Sequence, residues 1–381
     1  MLLSSLMAAT TWAAAPFSPS SPSAAPTTLT TPATSAQATT SASATRSTPD
    51  QAPAAGPAAG PAMAPAAASG KTPAKPPATS AATAQAAASA TAPAACPTEP
   101  APIPQDQAEA QAKDRGILWT LTRDGHTSYL HASLHLGRPA WTAPGPKLRQ
   151  ALNQVDAVAL ELDPLDAASW VMPTIPELTI DPALQKRLAA QARSVCLPAQ
   201  AVAAMHPLLQ LSTITLMQAR GLGLDVRYGQ EMLLSRWARD RHLPVIALET
   251  LQGQLSALLP EDADQARHEL RSGLQQLERP AALQRMLKDL VGTWERGDLR
   301  RLARYEDWCD CIRDARDREA LARENDGRNP NLADRISELH QRGQSLLVAV
   351  GALHMTGPQA LPTLLREKGF EVTQVHPGAA K

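Results

Sequence analysis

Four short apolar runs of the sequence each lead to a side chain that can bind a metal ion or transfer a proton. The first run leads to His135, the second to Glu161, the third to Glu249 and the fourth to His354. Ligands of open α/β sheets bind beyond the carboxyl ends of the strands, so four neighbouring ends would bring two imidazoles and two carboxylates together. Two histidines and a carboxylate form a ligand set for zinc, manganese, cobalt or iron.

This set of side chains predicts metal-assisted hydrolysis with divided roles. His135, His354 and Glu161 are the candidate metal ligands, and Glu161 or Glu249 is the candidate catalytic base that accepts a proton from water. The expected cofactor is a divalent metal ion: manganese, cobalt or zinc. Each residue also has a structural interpretation, because a histidine or glutamate at a strand end can be an ordinary surface charge. Glu249 can also cap the helix that follows it.

Three further residues are candidates for substrate binding. His131 precedes His135 by four residues, so both side chains point to the same face of a strand. His131 is therefore a candidate third nitrogen ligand or a residue that lines the pocket. Arg328 and Asn329 precede the fourth run, where an arginine could hold a substrate carboxylate or phosphate through two hydrogen bonds. The alternative for Arg328 is an ion pair with an acid at a helix start.

The elements that must position these residues alternate between strand and helix patterns. Runs typical of strands occur at 117–123, 127–134, 157–162, 244–248, 345–350 and 370–375. Helical spacing occurs at 146–154, 182–193, 199–220, 229–240, 251–324 and 331–341. Asp124-Gly125 predicts a tight hairpin, and Thr356-Gly357-Pro358 is expected to start a last helix. The alternation predicts an α/β (α+β) domain, with a mixed central sheet flanked by helices and a large helical insertion.

The composition of the 381-residue chain is uneven. Residues 16–105 are mostly Ala, Pro, Thr and Ser. They are expected to form a disordered linker, because they have too little bulky apolar surface to offset the entropy of ordering. A single folded domain is predicted for 106–378. Residues 1–15 combine a short apolar stretch with Ala13-Ala14-Ala15, the pattern of a signal peptide without its basic region. The alternative is a plain alanine-rich tail.

The charge balance and hydropathy exclude several classes of partner. Lys+Arg and Asp+Glu number 36 each, so no net charge attracts nucleic acid or anionic lipid. No run of about 18 apolar residues occurs, so no transmembrane helix is expected in the mature chain. The expected partner is a peptide or a small-molecule substrate. A periplasmic or secreted location is predicted from the signal-like start, with the cytoplasm as the alternative.

Four cysteines permit two disulfides in an exported chain. Position favours a bridge from Cys96, at the end of the linker, to Cys309 or Cys311, with Cys196 paired to the remaining partner or free. A bridge within Cys309-Asp310-Cys311 is not expected, because in a helix this triplet is too tight for disulfide geometry. The alternative is four free thiols. A four-cysteine metal site is not expected, because the sequence has no C-x-x-C pair.

The ordered series of these blocks resembles the TraB/GumN family, which includes the Tiki metalloproteases and is distantly akin to erythromycin-esterase-like proteins. The hallmark of the family is a pair of G-x-x-H motifs near the two ends of the domain. The second motif is intact as Gly351-Ala-Leu-His354, whereas the first reads Ala132-Ser-Leu-His135. The other similar blocks are Val158-Ala-Leu-Glu-Leu-Asp-Pro164, Pro244-Val-Ile-Ala-Leu-Glu-Thr250 with Gln254, Gly297-Asp298-Leu299 and Arg328-Asn329.

The resemblance implies a metal-dependent hydrolase, which in characterised animal members is a peptidase that uses a manganese- or cobalt-type metal. By matching position, it implies that His135, Glu161 and His354 form the catalytic and metal set, with Glu249 close by. Ala132 stands where a glycine would let the backbone approach a ligand closely or take a positive φ. The alternative function is a non-catalytic periplasmic protein that binds a peptide or signal in the same cleft.

Overall fold

The computed structural model describes residues 96–377. The predicted signal peptide (1–15) and the predicted linker up to residue 95 lie outside this range. No helix within the range is both long enough and apolar enough to cross a membrane.

Six strands alternate with helices in the order that the sequence predicts. The strands are β1 (Ile117–Arg123), β2 (His126–Ser133), β3 (Ala157–Leu160), β4 (Val245–Ala247), β5 (Leu346–Gly351) and β6 (Glu371–His376). The α-helices are α1 (Gln105–Ala110), α2 (Pro146–Leu152), α3 (Pro182–Ser194), α4 (Ala199–Val202), α5 (Pro207–Arg220), α6 (Gln230–Asp240), α7 (Leu251–Leu258), α8 (Ala263–Leu277), α9 (Pro280–Glu295), α10 (Leu299–Leu302), α11 (Tyr305–Trp308), α12 (Ala315–Glu324), α13 (Asn329–Gln341) and α14 (Leu361–Glu367). Short 3-10 helices lie at Pro139–Trp141, Ala167–Trp170, Val226–Tyr228 and Ala352–Met355.

The six strands form one mixed sheet in the order β4-β3-β5-β2-β1-β6. Strands β4, β3, β5 and β2 are parallel neighbours, whereas β1 pairs antiparallel with both β2 and β6. The predicted hairpin connects β1 and β2, and Asp124 and Gly125 have φ values of 52° and 81°, as a tight turn requires. The predicted α/β fold with a mixed sheet is confirmed, and most of the helices lie between β3 and β5.

The parallel strands explain why the sequence shows unbroken apolar runs. All of β3 is buried, and β5 is buried from Leu346 to Val350, because central parallel strands are covered on both faces. Alternate residues of β5 enter two different apolar clusters. Val348 and Val350 belong to the larger cluster with the helical insertion, whereas Leu347 belongs to the smaller cluster with α2 and α6. The carboxyl ends of β2, β3, β4 and β5 therefore lie along one covered edge.

Several helix boundaries differ from the prediction, and the predicted helical stretch over 251–324 is divided into the six helices α7 to α12. The expected helix over 199–220 is divided into α4 and α5, and α5 begins at Pro207, a residue that favours the first helical position. The last helix begins at Leu361 and not at Thr356-Gly357-Pro358. Gly357 has a φ of 86°, and the Thr356 hydroxyl donates to the carbonyl of Leu353 at 3.0 Å instead of capping the helix.

The disulfides differ from the predicted pairing. Cys96 is bonded to Cys196 with Cα atoms 5.6 Å apart, and Cys309 is bonded to Cys311 with Cα atoms 5.1 Å apart. The predicted bridge from Cys96 to Cys309 or Cys311 is therefore wrong. The bridge within the triplet can form because α11 ends before it and Asp310 has a φ of 51°. The triplet is thus a turn, and not the helix that the prediction assumed.

The segment between Cys96 and α1 packs on the rest of the protein. Besides the disulfide, Glu99 forms an ion pair with Arg227. The hydroxyl of Tyr228 donates to the carbonyl of Pro100 at 3.0 Å. The packed chain therefore starts upstream of residue 106, where the domain is predicted to begin.

Candidate functional site

The side chains at the four parallel strand ends meet at one edge of the sheet. The Nε2 atoms of His135 and His354 each lie 4.0 Å from Oε1 of Glu161. Oε2 of Glu161 and Oε2 of Glu249 accept hydrogen bonds from the same Gln254 amide, at 3.1 and 3.2 Å. His135, Glu161 and His354 are buried, and the Glu249 side chain is 10% exposed. The structure thus brings together all four residues that the strand-end pattern identifies.

A side-chain oxygen lies next to the second nitrogen of each imidazole. Nδ1 of His135 lies 3.0 Å from Oε1 of Glu231, and Nδ1 of His354 lies 2.6 Å from Oδ1 of Asn329. Carboxylate and amide oxygens accept hydrogen bonds, so both contacts favour a proton on Nδ1. In the neutral form of each ring the Nε2 lone pair is then directed toward Glu161, and the Nδ1 contacts orient both rings.

Glu231 is the residue at this site that the sequence analysis missed. It lies in the first turn of α6 and is buried, where an acid is an ordinary partner of the helix dipole. The Ser133 hydroxyl also donates to its carboxylate. The backbone N–H of Gln230 donates to the carbonyl of Leu134 at 3.1 Å, which places the start of α6 directly beside His135. Only this tertiary contact distinguishes Glu231 from other acids at helix starts.

Arg328 connects the two glutamates. Its Nη2 donates to Glu161 Oε2 at 2.5 Å and to Glu249 Oε2, and its Nε donates to Glu249 Oε1 at 3.0 Å. Its Nη1 lies 3.2 Å from the carbonyl of Glu324 and 3.3 Å from Nε2 of His354. The side chain is 8% exposed. All three guanidinium nitrogens are therefore directed at the protein's own groups, which is the ion-pair alternative of the sequence analysis.

The other two predicted substrate-binding residues occupy different positions. The Asn329 amide donates to the carbonyls of His354 and Gln359, at 3.2 and 2.8 Å, and so holds the turn after β5. His131 is buried in β2 with its ring edge-on to Trp294. Within residues 96–377, neither ring nitrogen of His131 has a hydrogen-bond partner. Burial lowers the pKa of His131 to about 4, so its ring is neutral at pH 7.

Burial and charge shift the pKa values of the three central groups. Burial and the Arg328 guanidinium lower the pKa of His354 to about 3, so it is neutral at pH 7. Burial also lowers the pKa of His135, but the carboxylates of Glu231 and Glu161 outweigh it and raise the pKa above its usual value. For Glu161, burial is outweighed by Arg328 and the two imidazoles, which hold its pKa well below its usual range. Glu161 is therefore ionised.

Gly351, the glycine of the intact motif, leaves space between these groups. Its N–H donates to Oε1 of Glu161 at 2.7 Å. A Cβ at this position would lie 3.4 Å from Glu161 Oε1, 3.5 Å from His135 Nε2 and 3.6 Å from His354 Cδ2. The backbone has φ −49° and ψ 139°, which any residue can adopt. The glycine is thus needed for space and not for its backbone conformation.

Ala132, which replaces the glycine of the first motif, lies in a different environment. It is fully buried in β2, pairs with Val350 of β5 and belongs to the larger apolar cluster. The non-glycine residues with positive φ in 96–377 are Asp124, Cys196, His242 and Asp310. Ala132 therefore has a conformation that alanine adopts without strain, and its methyl group adds to the core.

A small cavity of about 30 Å³ adjoins His135, Gly351 and His354. This is room for a water molecule, which is the co-substrate of any hydrolysis.

The two imidazoles are not yet close enough to share one ion. Among residues 96–377, three potential ligand atoms lie within 4.8 Å of one another in the group His268, Asp314 and Asp317. The group of His135, Glu161 and His354 does not meet this distance. Ligand atoms on one ion are at most about 4 Å apart when metal–nitrogen distances are about 2.1 Å. Binding one cation through both His135 and His354 requires the rings to approach each other and the Arg328 guanidinium to move away from Nε2 of His354.

The buried carboxylate of Glu324 should make the free energy of unfolding depend on pH. The backbone carbonyl of the same residue accepts a hydrogen bond from Arg328. Oε2 of Glu324 has no hydrogen-bond partner among residues 96–377. Burial, and then the neighbouring Glu269, raise its pKa from 4.5 to about 7. The folded state therefore binds this proton more tightly than the unfolded state, and the free energy of unfolding should fall as the pH rises from about 4.5 through 7.

We expect Glu324→Gln to remove this pH dependence and to raise the free energy of unfolding by roughly 3 kcal/mol at pH 8, with little change at pH 4. Urea unfolding at several pH values measures both quantities. Glu319→Gln, on the exposed side of the same helix, is the matched control and should change neither quantity. Identical pH slopes for the wild type and Glu324→Gln would contradict the prediction.

Comparisons with known proteins add one finding. The model of the TraB/PrgY/gumN family matches residues 117–374, a range that contains all four strand-end residues and Glu231. A search of curated proteins and a search of solved structures found no match.

Proposed function

Because the chain belongs to the TraB/PrgY/gumN family, we propose that it is a metal-dependent hydrolase, with His135, Glu161, Glu249 and His354 as its site. One observation carries the proposal. The Nε2 atoms of two buried imidazoles both lie 4.0 Å from the same carboxylate oxygen, beside a glycine whose missing Cβ leaves the space between them open.

His135 Nε2, His354 Nε2 and Glu161 Oε1 would hold a divalent cation: manganese, cobalt or zinc. When bound, such a cation polarises a carbonyl group and lowers the pKa of a water molecule. The ionised Glu161 and the neutral His354 are in the protonation states that ligation requires. Glu231 and Asn329 orient the two rings from the Nδ1 side.

Glu249 is the residue that we propose as the proton acceptor. Its carboxylate is partly accessible and receives hydrogen bonds from Arg328 and Gln254. If Glu249 takes a proton, the Arg328 guanidinium keeps Glu161 as its counter-ion, so the buried positive charge stays paired. The proposed substrate is a peptide, or another small molecule with a hydrolysable carbonyl group.

We also propose that the protein functions in the periplasm or is secreted. Both disulfides support this location, because the cytosol keeps most thiols reduced. The signal-like pattern of residues 1–15 points the same way.

The function proposal predicts stoichiometric metal binding that depends on both histidines. Wild-type protein should bind one manganese, cobalt or zinc ion per chain in equilibrium dialysis with metal analysis. The double variant His135→Ala/His354→Ala should lose this ion, and with it hydrolysis of a peptide library. Sub-stoichiometric metal in the wild type, unaltered in the double variant, would overturn the proposal.

Gly351→Ala tests the same site without removing a ligand. The backbone conformation accepts alanine, so the melting temperature should stay nearly unchanged. The added methyl group occupies the space beside His135, Glu161 and His354, so metal affinity should fall at least about tenfold, which is ~1.4 kcal/mol. Gly221→Ala is the control. Gly221 is far from the site residues in sequence, and its Cβ would contact only the carbonyl of Gln218, at 3.4 Å.

A non-catalytic protein that binds a peptide or signal at this edge is the second candidate. The position of Arg328, 3.3 Å from Nε2 of His354, favours it, because the guanidinium already occupies the side of the imidazole that a metal ion needs. In that case peptide binding would occur without stoichiometric metal and would be unaffected by a chelator.

A further inference from the structure

A cleft of about 480 Å³ lies between α1, the start of α2 and one face of α6. It shares no lining residue with the cavity at the candidate site. The face of α6 that lines it includes Leu233, Arg236, Trp237 and Asp240, which follow the spacing of one helical stripe.

The cleft carries an excess of positive charge. Four arginines line it, and they are Arg149, Arg227, Arg236 and Arg241. The acids in its lining are Glu109 and Asp240, and Arg227 is already paired with Asp225 and Glu99. The other three arginines therefore face two acids, an excess of one positive charge. This excess is local, because the chain as a whole has a formal net charge of zero.

Two of the guanidinium groups are held against aromatic rings. Arg241 lies 4.0 Å from the centroid of the Trp237 ring, and Arg227 lies 5.4 Å from the centroid of the Tyr228 ring. Stacking restricts both side chains while leaving their N–H groups free to donate. An anion that binds them therefore loses less affinity to side-chain ordering.

Much of the hydrogen-bonding capacity of these arginines is unused within residues 96–377. The Arg236 side chain makes no hydrogen bond or ion pair there, and the Arg241 side chain makes only its ring contact. Arg227 pairs with Asp225 and Glu99, but its Nη2 is buried without a partner. Buried donors without partners are uncommon in proteins and mark places where a ligand can complete the bonding.

The N-terminal part of the same chain has too few acidic residues to supply negative charge to the cleft. Residues 1–95 contain one acid, Asp50, against three bases, Arg46, Lys71 and Lys75. A segment with this composition adds no net negative charge, so an anion that pairs with Arg236 and Arg241 would come from another molecule.

We propose that this cleft binds a small organic dianion, either a phosphate monoester or a dicarboxylate, through Arg227, Arg236 and Arg241. Both groups present pairs of oxygens that match the planar guanidinium fork. Gly229 lines the cleft at the start of α6, where the helix dipole also favours negative charge. The volume exceeds that of inorganic phosphate and leaves room for an organic part beside Leu233.

Calorimetric titration of the full chain tests the proposal, with inorganic phosphate and succinate as probes and ionic strength matched with sodium chloride. We expect saturable binding to the wild type, and an increase in Kd of about tenfold or more in Arg236→Gln and in Arg241→Gln. Arg271→Gln is the matched control, because Arg271 is likewise an exposed helical arginine, and it should leave Kd unchanged. Tighter binding of phosphate identifies the phosphate class, and tighter binding of succinate identifies the dicarboxylate class.

Absence of saturable binding of either probe, or equal Kd values for Arg236→Gln and Arg271→Gln, would overturn the proposal. Arg236 has no partner to lose, so its variant should keep the wild-type melting temperature. If the melting temperature of Arg236→Gln falls, the Kd of Arg241→Gln tests the proposal in its place. The outcome is independent of the metal proposal, because the His135→Ala/His354→Ala variant should bind the same probe with wild-type affinity.

Discussion

Replacing Arg328 by methionine should lower the free energy of unfolding by about 3–5 kcal/mol at pH 7. The guanidinium is buried between Glu161 and Glu249 and is the positive partner of both carboxylates. Its removal leaves two negative charges close together in a buried environment. Methionine has a side chain of similar length but cannot donate the hydrogen bonds. The cost arises mainly from the uncompensated carboxylates and not from the loss of an attractive pair.

Urea unfolding at pH 7 measures the effect of Arg328→Met. Arg335→Met is the control on α13, the helix that Arg328 precedes, since Arg335 pairs with Glu338 at a partly exposed position, and it should cost less than about 1 kcal/mol. Adding Glu161→Gln and Glu249→Gln to Arg328→Met should recover much of the loss, because no buried charge then remains at these positions. Equal losses for the two arginine variants would show that the buried network does not have the expected energetic role.

Removing the disulfide between Cys96 and Cys196 should have a comparable effect. The bridge closes a segment with a sequence separation of 100 residues, for which the chain-entropy model gives a stabilisation of about 4.7 kcal/mol. The segment contains β1, β2 and β3, so the cross-link restricts the unfolded chain across half of the sheet. The double variant Cys96→Ser/Cys196→Ser should therefore unfold at markedly lower urea concentration.

The second disulfide provides an internal control. Cys309 and Cys311 are separated by two positions, so the same model gives about 1.6 kcal/mol for Cys309→Ser/Cys311→Ser. Oxidised wild type and both double variants should be compared in urea without reductant. Equal destabilisation by the two double variants would contradict the dependence on loop length. Mass mapping of non-reduced peptides checks the pairing itself.

The four strand-end residues could be predicted because their signal is local. Each one follows an apolar run, and parallel strands necessarily place their carboxyl ends on the same edge. The hairpin at Asp124-Gly125 was also predictable, because few residue pairs adopt positive φ at both positions. The sheet and the position of the site edge therefore follow from sequence pattern.

Other features depend on contacts that no local pattern encodes. Glu231 meets His135 only because the start of α6 is hydrogen-bonded to Leu134, and in sequence it is one acid among many at helix starts. The sequence predicts Arg328 as a substrate-binding residue or an ion-pair partner, but its place between two carboxylates follows from the packing of α13 against the site edge. The predicted disulfide pairing is wrong because the positive φ of Asp310, which lets Cys309 and Cys311 bond to each other, is a property of the folded turn.

The place of β5 in the sheet has a consequence for the order in which the protein can be made. This strand lies between β2 and β3, although it follows β4 by about a hundred residues of chain. A nascent polypeptide that has not yet been synthesised beyond α13 therefore has a gap at the centre of its sheet, and it lacks both Gly351 and His354. Such long-range pairing forms late. The candidate site can therefore form only after the chain has been synthesised through His354, so a shorter nascent chain cannot bring the four strand-end residues together.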